Sequence, residues 1–89
     1  MKRVKVDFSQ FADKAALHAY LKEQLDFPAW YGANFDALHD CLTDLREDTQ
    51  LVLSHIQALE RAGAICCRVI AQACEENEHL QMIFEEEKA

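Results

Sequence analysis

Residues 50–53, QLVL, decide the fold: Leu51, Val52 and Leu53 are consecutive apolar side chains between a polar connection at 46–49 and a helix-like stretch beyond. So short an apolar run fits a strand buried on both faces of a parallel sheet. Before it, residues 3–8 alternate, with Val4, Val6 and Phe8 on one side and Arg3, Lys5 and Asp7 on the other, the period of a strand with one buried face. After it, Leu80, Met82 and Phe84 alternate with Gln81, Ile83 and Glu85 as a last strand. The acidic end at 86–89 is expected to fray.

Helices fill the intervals. Asp13 can cap a helix to about Gln24, in which Ala16 or Leu17, Tyr20, Leu21 and Gln24 or Leu25 recur at helical spacing until Phe27-Pro28 stops it; His18 then faces solvent. Asn34 is the natural N-cap of a second helix running from Phe35 to Asp44 or Leu45. Ser54-His55-Ile56-Gln57 has the S-x-x-Q form of a capping box and opens a third helix reaching Glu76, with Ile56, Leu59, Ile65 or Cys66, Val69, Ile70 and Ala73 inward. Gly63 costs that helix about 1 kcal/mol relative to alanine, which leaves it open to a split into two near that point. The order β-α-α-β-α-β requires crossover connections, right-handed almost always. The expected fold is therefore α/β, one small domain over residues 1–89 with a three-stranded parallel sheet packed with helices. Strand order is not contained in the pattern.

A chain of 89 residues holds one modest core and no second domain, and 51% hydrophobic with 28% charged residues marks it as globular. Sixteen acidic against nine basic residues give a net charge of −7. Such a surface repels phosphate backbones and anionic membranes and attracts cationic partners, which argues against direct nucleic-acid or membrane binding. The opening MKRVKVDF lacks the apolar run of a secretory signal, and no window approaches the roughly eighteen apolar residues of a membrane span, so a cytoplasmic chain is expected. Cys41, Cys66, Cys67 and Cys74 read as reduced thiols among apolar helix neighbours, Cys66 and Cys67 as core filling. Paired C-x-x-C motifs do not occur, and neither metal nor cofactor is expected.

On a helical wheel Phe35, Leu38, Cys41, Leu42 and Leu45 form the inward stripe of the second helix, and Asp36, His39, Asp40, Thr43 and Asp44 the other side. Asp36, Asp40 and Asp44 follow at i, i+4 and i+8, so their carboxylates stack along one ridge, each like-charge neighbour costing a few tenths of a kcal/mol. Asp44 also stands at the wrong end for the helix dipole. Stability alone does not select such a ridge. On the preceding loop, kept irregular by Pro28 and Gly32, Trp30 and Tyr31 are large aromatics next to a turn residue, where a binding surface has more use for them than the fold does. The plainer reading is a solvated acidic surface with one of the two aromatics in the core. His39, Asp40 and Cys41 are consecutive and point in different directions, which assembles no nucleophile. Asp36, His39 and Asp40 could hold a hydrated divalent ion, leaving a small metal-dependent enzyme as an alternative. An acidic interaction module for another cationic protein is a further one.

The string Tyr31-Gly32-x-Asn34-x-Asp36-Ala37-Leu38-x-Asp40-Cys41-Leu42-Thr43 resembles the central motif of the barstar family, intracellular inhibitors of secreted bacterial ribonucleases such as barnase, at ten positions in a window of thirteen. The resemblance reaches Leu51-Val52-Leu53 and the element order more weakly, with a few residues fewer between the second strand and the last helix. It implies no enzyme but a one-to-one inhibitor whose loop and second helix plug the ribonuclease active site, the helix carboxylates standing where RNA phosphates bind. Asp40 would be the main phosphate mimic, Asp36 a second carboxylate at the enzyme surface, Trp30 the counterpart of a tyrosine packed on the catalytic residues, and Thr43 a contacting hydroxyl. Asn34 and Gly32 would position the loop. The partner-binding set thus expected is Trp30, Tyr31, Asn34, Phe35, Asp36, His39, Asp40, Thr43 and Asp44. The sequence departs from the family inhibitor at His39 and Leu45, each a tryptophan there, and at Asp44, a glycine there. An extra acidic contact from the last helix falls near Gln72, Glu75 or Glu76. Substitutions around a hot spot alter partner choice.

Overall fold

Three parallel strands set Val4, Leu51 and Met82 side by side in one row and Val6, Leu53 and Phe84 in another. In this computed structural model, which describes residues 1–85, the strands are β1 (Lys2–Asp7), β2 (Thr49–Ser54) and β3 (Leu80–Phe84), in the order β1-β2-β3 with β2 central. The helices are α1 (Lys14–Leu25) and α2 (Phe35–Thr43) between β1 and β2, and α3 (Glu60–Glu76) between β2 and β3, so the β-α-α-β-α-β order holds.

One apolar cluster joins Val4, Val6, Leu51, Leu53 and Leu80 of the sheet to Leu17, Leu21 and Leu25 of α1, Leu38 and Leu42 of α2, and Cys66, Ile70 and Ala73 of α3. The helices therefore cover one face of the sheet. Each buried side chain of this size removes about 1.5–3 kcal/mol worth of apolar surface from water. The consecutive apolar residues of β2 serve both faces: Leu51 and Leu53 meet the helices, and Val52 is buried on the other side, in register with Lys5 and Ile83. On that second face Arg3 Nε donates to Gln50 Oε1 at 2.9 Å, a polar tie between β1 and β2.

Local signals mark the starts of α1 and α2 but not that of α3. Asp13 caps α1 as expected, its carboxylate accepting the Ala16 N–H at 3.0 Å, and Asp26 ends the helix in the left-handed region, φ 54°. Phe8 leaves the strand instead of ending it. It opens a 3-10 turn, Phe8–Gln10, with the Asp7 side chain accepting the Ser9 N–H, and remains fully buried. The capping box read at Ser54 does not form. Ser54 is the last residue of β2, His55 turns left-handed at φ 53° with no side-chain cap, and a 3-10 turn, Ile56–Leu59, precedes α3.

Gly63 does not split the helix; the discontinuity lies at Leu59 and Glu60, where Glu60 has φ 52°. Its lack of a side chain answers a packing need: a Cβ there would lie 2.2 Å from the Ile56 carbonyl oxygen, so the turn can cross α3 only over a glycine. The fraying expected at 86–89 falls outside the described residues. Among those residues, no helix is long and apolar enough to cross a membrane.

Candidate functional site

Helix α2 is secured at both ends by asparagine side chains. Asn34 Oδ1 accepts the Ala37 N–H at 2.8 Å, the expected N-cap, after Ala33 has turned the chain through φ 52°. At the other end the buried side-chain amide of Asn77, just past α3, donates to Leu42 O at 2.9 Å and Leu45 O at 3.0 Å, while its Oδ1 accepts the His79 N–H. Carbonyls left over at a helix C-terminus are thereby satisfied from another element. Local pattern ends the third helix at Glu76 and gives no sign of this role for the residue after it. The inward stripe forms as expected: Leu38, Cys41 and Leu42 are buried, with Phe35 and Leu45 half-buried against the same core.

Outward, Asp36, Asp40 and Asp44 are all exposed, and Asp40 shows 77% of its side chain. Among the described residues no lysine or arginine forms an ion pair with any of the three. Their field is therefore left open to a partner. The Thr43 hydroxyl donates to the Asp40 carbonyl at 3.0 Å. His39 is half-buried beside the ridge. Its Nε2–H donates to Glu76 Oε2 at 2.7 Å, and its Nδ1 lies 3.8 Å from Asp40 Oδ1. The hydrogen bond to Glu76 leads in holding the ring's pKa above the usual histidine value, with the charges of Glu76 and Asp40 adding to it against the cost of burial.

The loop before α2 turns its two aromatics opposite ways. Trp30 is 69% exposed, whereas Tyr31 is 7% exposed and lies inside, its ring 4.9 Å from that of Phe27. The Tyr31 hydroxyl is hydrogen-bonded to His18 Nδ1 at 2.5 Å. His18, expected to face solvent, is 2% exposed and packs its ring 5.0 Å from Phe35. The buried stripe of α1 is one residue wider than helical spacing indicated, and the tyrosine hydroxyl makes that burial tolerable by pairing the ring nitrogen. Burial holds the His18 pKa below the usual value and pushes that of the Tyr31 phenol up.

Between the loop and α2 lies a hollow of about 160 Å³, lined by Pro28, Trp30, Cys41, Asp44 and Leu45 among others. Trp30 thus flanks the helix on its Asp44 side, and Glu76 flanks it on its His39 side. The structure brings Asp36, His39, Asp40, Thr43 and Asp44 onto one face with Trp30 at its edge. Tyr31 and Phe35 stand behind that face and Asn34 at its start. A row of carboxylates bordered by an exposed indole is suited to a concave cationic surface. Among the described residues no group of three or more His, Cys, Asp and Glu side chains is placed to hold a metal ion. The four cysteines are free thiols, and burial pushes that of Cys66 up to about 12.

A family model described as Barstar (barnase inhibitor) matches residues 1–86. Among curated proteins, the "Putative ribonuclease inhibitor YrdF" of Bacillus subtilis (strain 168) is 49% identical over 43 residues, which make up 48% of this chain and 47% of that protein. The chain so spans about half the length of this curated relative.

Proposed function

The chain belongs to the barstar family, and on that premise we propose that it is a stoichiometric inhibitor of a barnase-type ribonuclease, seating α2 and the loop before it in the enzyme's active site. One observation carries the reading: three exposed carboxylates in line on α2, unneutralised by lysine or arginine among the described residues, beside an exposed Trp30. A ribonuclease cleft must be cationic to hold RNA phosphates, and it must accept a flat ring where a base stacks.

In this role Asp40, the most central carboxylate, occupies the place of a phosphate, and Asp36 and Asp44 meet cations at the rim. Trp30 lies against the catalytic groups, and Thr43 exchanges its intrahelical bond for one to the enzyme. Tyr31, Phe35 and Asn34 act through the shape of the loop: the bond from Tyr31 to His18 and the ring contact of Phe35 fix where Trp30 points. The chain performs no catalysis and needs no cofactor. It works in the cytoplasm of the cell that makes the enzyme, before secretion.

The test is a titration of a barnase-type ribonuclease with the chain, in the presence and absence of a chelator. Activity should fall linearly to zero at one chain per enzyme in both conditions. Binding that leaves cleavage intact would mark a general acidic module instead, and RNA turnover by the chain with added divalent ions would mark a metal-dependent enzyme.

A further inference from the structure

Resting on the inhibitory reading above, we propose that His39 makes recognition at this face proton-linked: docking of a cationic enzyme surface displaces the proton that Glu76 and Asp40 hold on its ring. The ring is clamped between two helices. Glu76 Oε2, on the last turn of α3, lies 2.7 Å from Nε2, and Asp40 Oδ1, on α2 itself, lies 3.8 Å from Nδ1. These are the charges that act on the imidazole from the two elements it joins, and both are negative. Asp36 and Asp44 continue the ridge on α2, and Glu75 precedes Glu76 on α3.

Two carboxylates in this arrangement favour the imidazolium. Below its raised pKa the free protein therefore carries a positive charge in the middle of its acidic face, between the groups that attract the partner. A guanidinium or ammonium arriving at Asp40 or Glu76 takes over the same oxygens and repels the ring charge. The protonated ring then loses its stabilisation and releases the proton to solvent. Linkage makes the effect reciprocal: a partner that lowers the ring's proton affinity binds more tightly where the ring is already neutral. Affinity consequently rises with pH across the titration of His39. An enzyme rim with a carboxylate opposite the ring would escape the penalty, so the same histidine discriminates among ribonucleases of different rim charge.

Dissociation constants for one barnase-type ribonuclease, measured from about pH 5 to 8 for the wild type, His39→Gln and Glu76→Gln, test this. Titrating groups on the enzyme and elsewhere on the inhibitor contribute equally and cancel in the ratios. Relative to His39→Gln, the wild type should weaken as pH falls, by up to about tenfold per pH unit. In Glu76→Gln the same dependence should begin at lower pH, because the ring has lost the partner that raises it. Calorimetry in buffers of different ionisation enthalpy should count more protons released by the wild type than by His39→Gln. Parallel pH profiles offset by a constant factor, or equal proton counts, overturn the proposal while leaving inhibition intact. No inhibition by any of the three proteins overturns the ribonuclease reading, and this inference with it.

Discussion

Substituting Gly63 by alanine sets helix propensity against packing, and the structure decides the sign. In an unconstrained helix interior the change stabilises by about 1 kcal/mol. At position 63 the new methyl would sit 2.2 Å from the Ile56 carbonyl oxygen and 3.3 Å from its carbon, where ordinary contact begins at about 3.4 Å. The 3-10 turn and α3 must move apart by more than 1 Å, the difference between 2.2 and 3.4 Å. Neither side yields freely. The turn hangs on the left-handed His55, whose carbonyl accepts the Ala58 N–H at 2.9 Å, and the following turns of α3 bury Cys66, Ile70 and Ala73.

Overpacking costs about 1–3 kcal/mol or more, and an overlap this deep against a backbone atom belongs at the upper end, about 2–3 kcal/mol. With the propensity gain set against it, a net loss of about 1–2 kcal/mol is expected, which in a domain of this size lowers Tm by roughly 4–15 °C. Thermal unfolding followed by far-UV circular dichroism measures it. Ala64→Gly, at the exposed neighbouring position of the same helix, is the control and should lose only the propensity difference of about 1 kcal/mol. An unchanged or raised Tm for Gly63→Ala would refute the argument that this glycine exists to let the turn pass over the helix.

Three further outcomes are expected. Asp40→Ala should weaken the proposed ribonuclease complex by at least roughly 2 kcal/mol, because on that reading it leaves enzyme cations unpaired in the cleft; its Tm should be unchanged or slightly higher, since repulsion along the ridge is relieved. A large loss of stability with unaltered affinity would contradict this. The association rate should fall steeply as salt is raised, the acidic face being solvent-exposed; stopped-flow rates independent of ionic strength would show the ridge idle. Tyr31→Phe should cost about 1–3 kcal/mol in urea unfolding by stranding the His18 nitrogen, and an unchanged urea midpoint would remove that bond from the account. The last outcome has a pH signature. The folded-state pKa of His18 lies below its ordinary 6.5, so the unfolded chain takes up the proton first. This part of the stability is complete above pH 6.5 and is lost as the pH falls through the folded value. The stability advantage of the wild type over His18→Gln should shrink over that window, and a constant difference would mean that His18 does not titrate between the two states.

The sequence was most legible where a signal is local. The caps at Asp13 and Asn34 follow from short side chains reaching N–H groups a turn away, and the inward stripe of α2 follows from periodicity. The three strands were readable from alternation and from the compact run at Leu51-Val52-Leu53, whereas their order depends on which crossover goes where and leaves no trace in any one segment. The burial of His18 is not legible within its own helix because it depends on Tyr31, thirteen residues away on a loop. Gly63 reads as a breaker in the sequence because the atom that demands it, the Ile56 carbonyl, belongs to a turn that the S-x-x-Q pattern disguises as a helix start. Of the candidate site, the ridge follows from residue types and spacing, whereas these leave open which of the two loop aromatics is buried, and only the family resemblance singles out Trp30 as the contact. The bond from His39 to Glu76 is not legible, since it joins residues 37 positions apart.

The two asparagine side chains that close off α2, one at each end, have a consequence for how such a molecule can diverge. Neither Asn34 nor Asn77 spends its hydrogen bonds on the acidic side of the helix, and the leucines that anchor it point the other way. The exposed positions 36, 40 and 44 can therefore be rewritten without loosening the element that displays them, whereas position 39 also ties α2 to α3 through Glu76. If this face is the inhibitory one proposed above, a lineage can track a changing adversary by swapping a handful of letters, because most instructions for standing upright and those for choosing a target are stored in different residues.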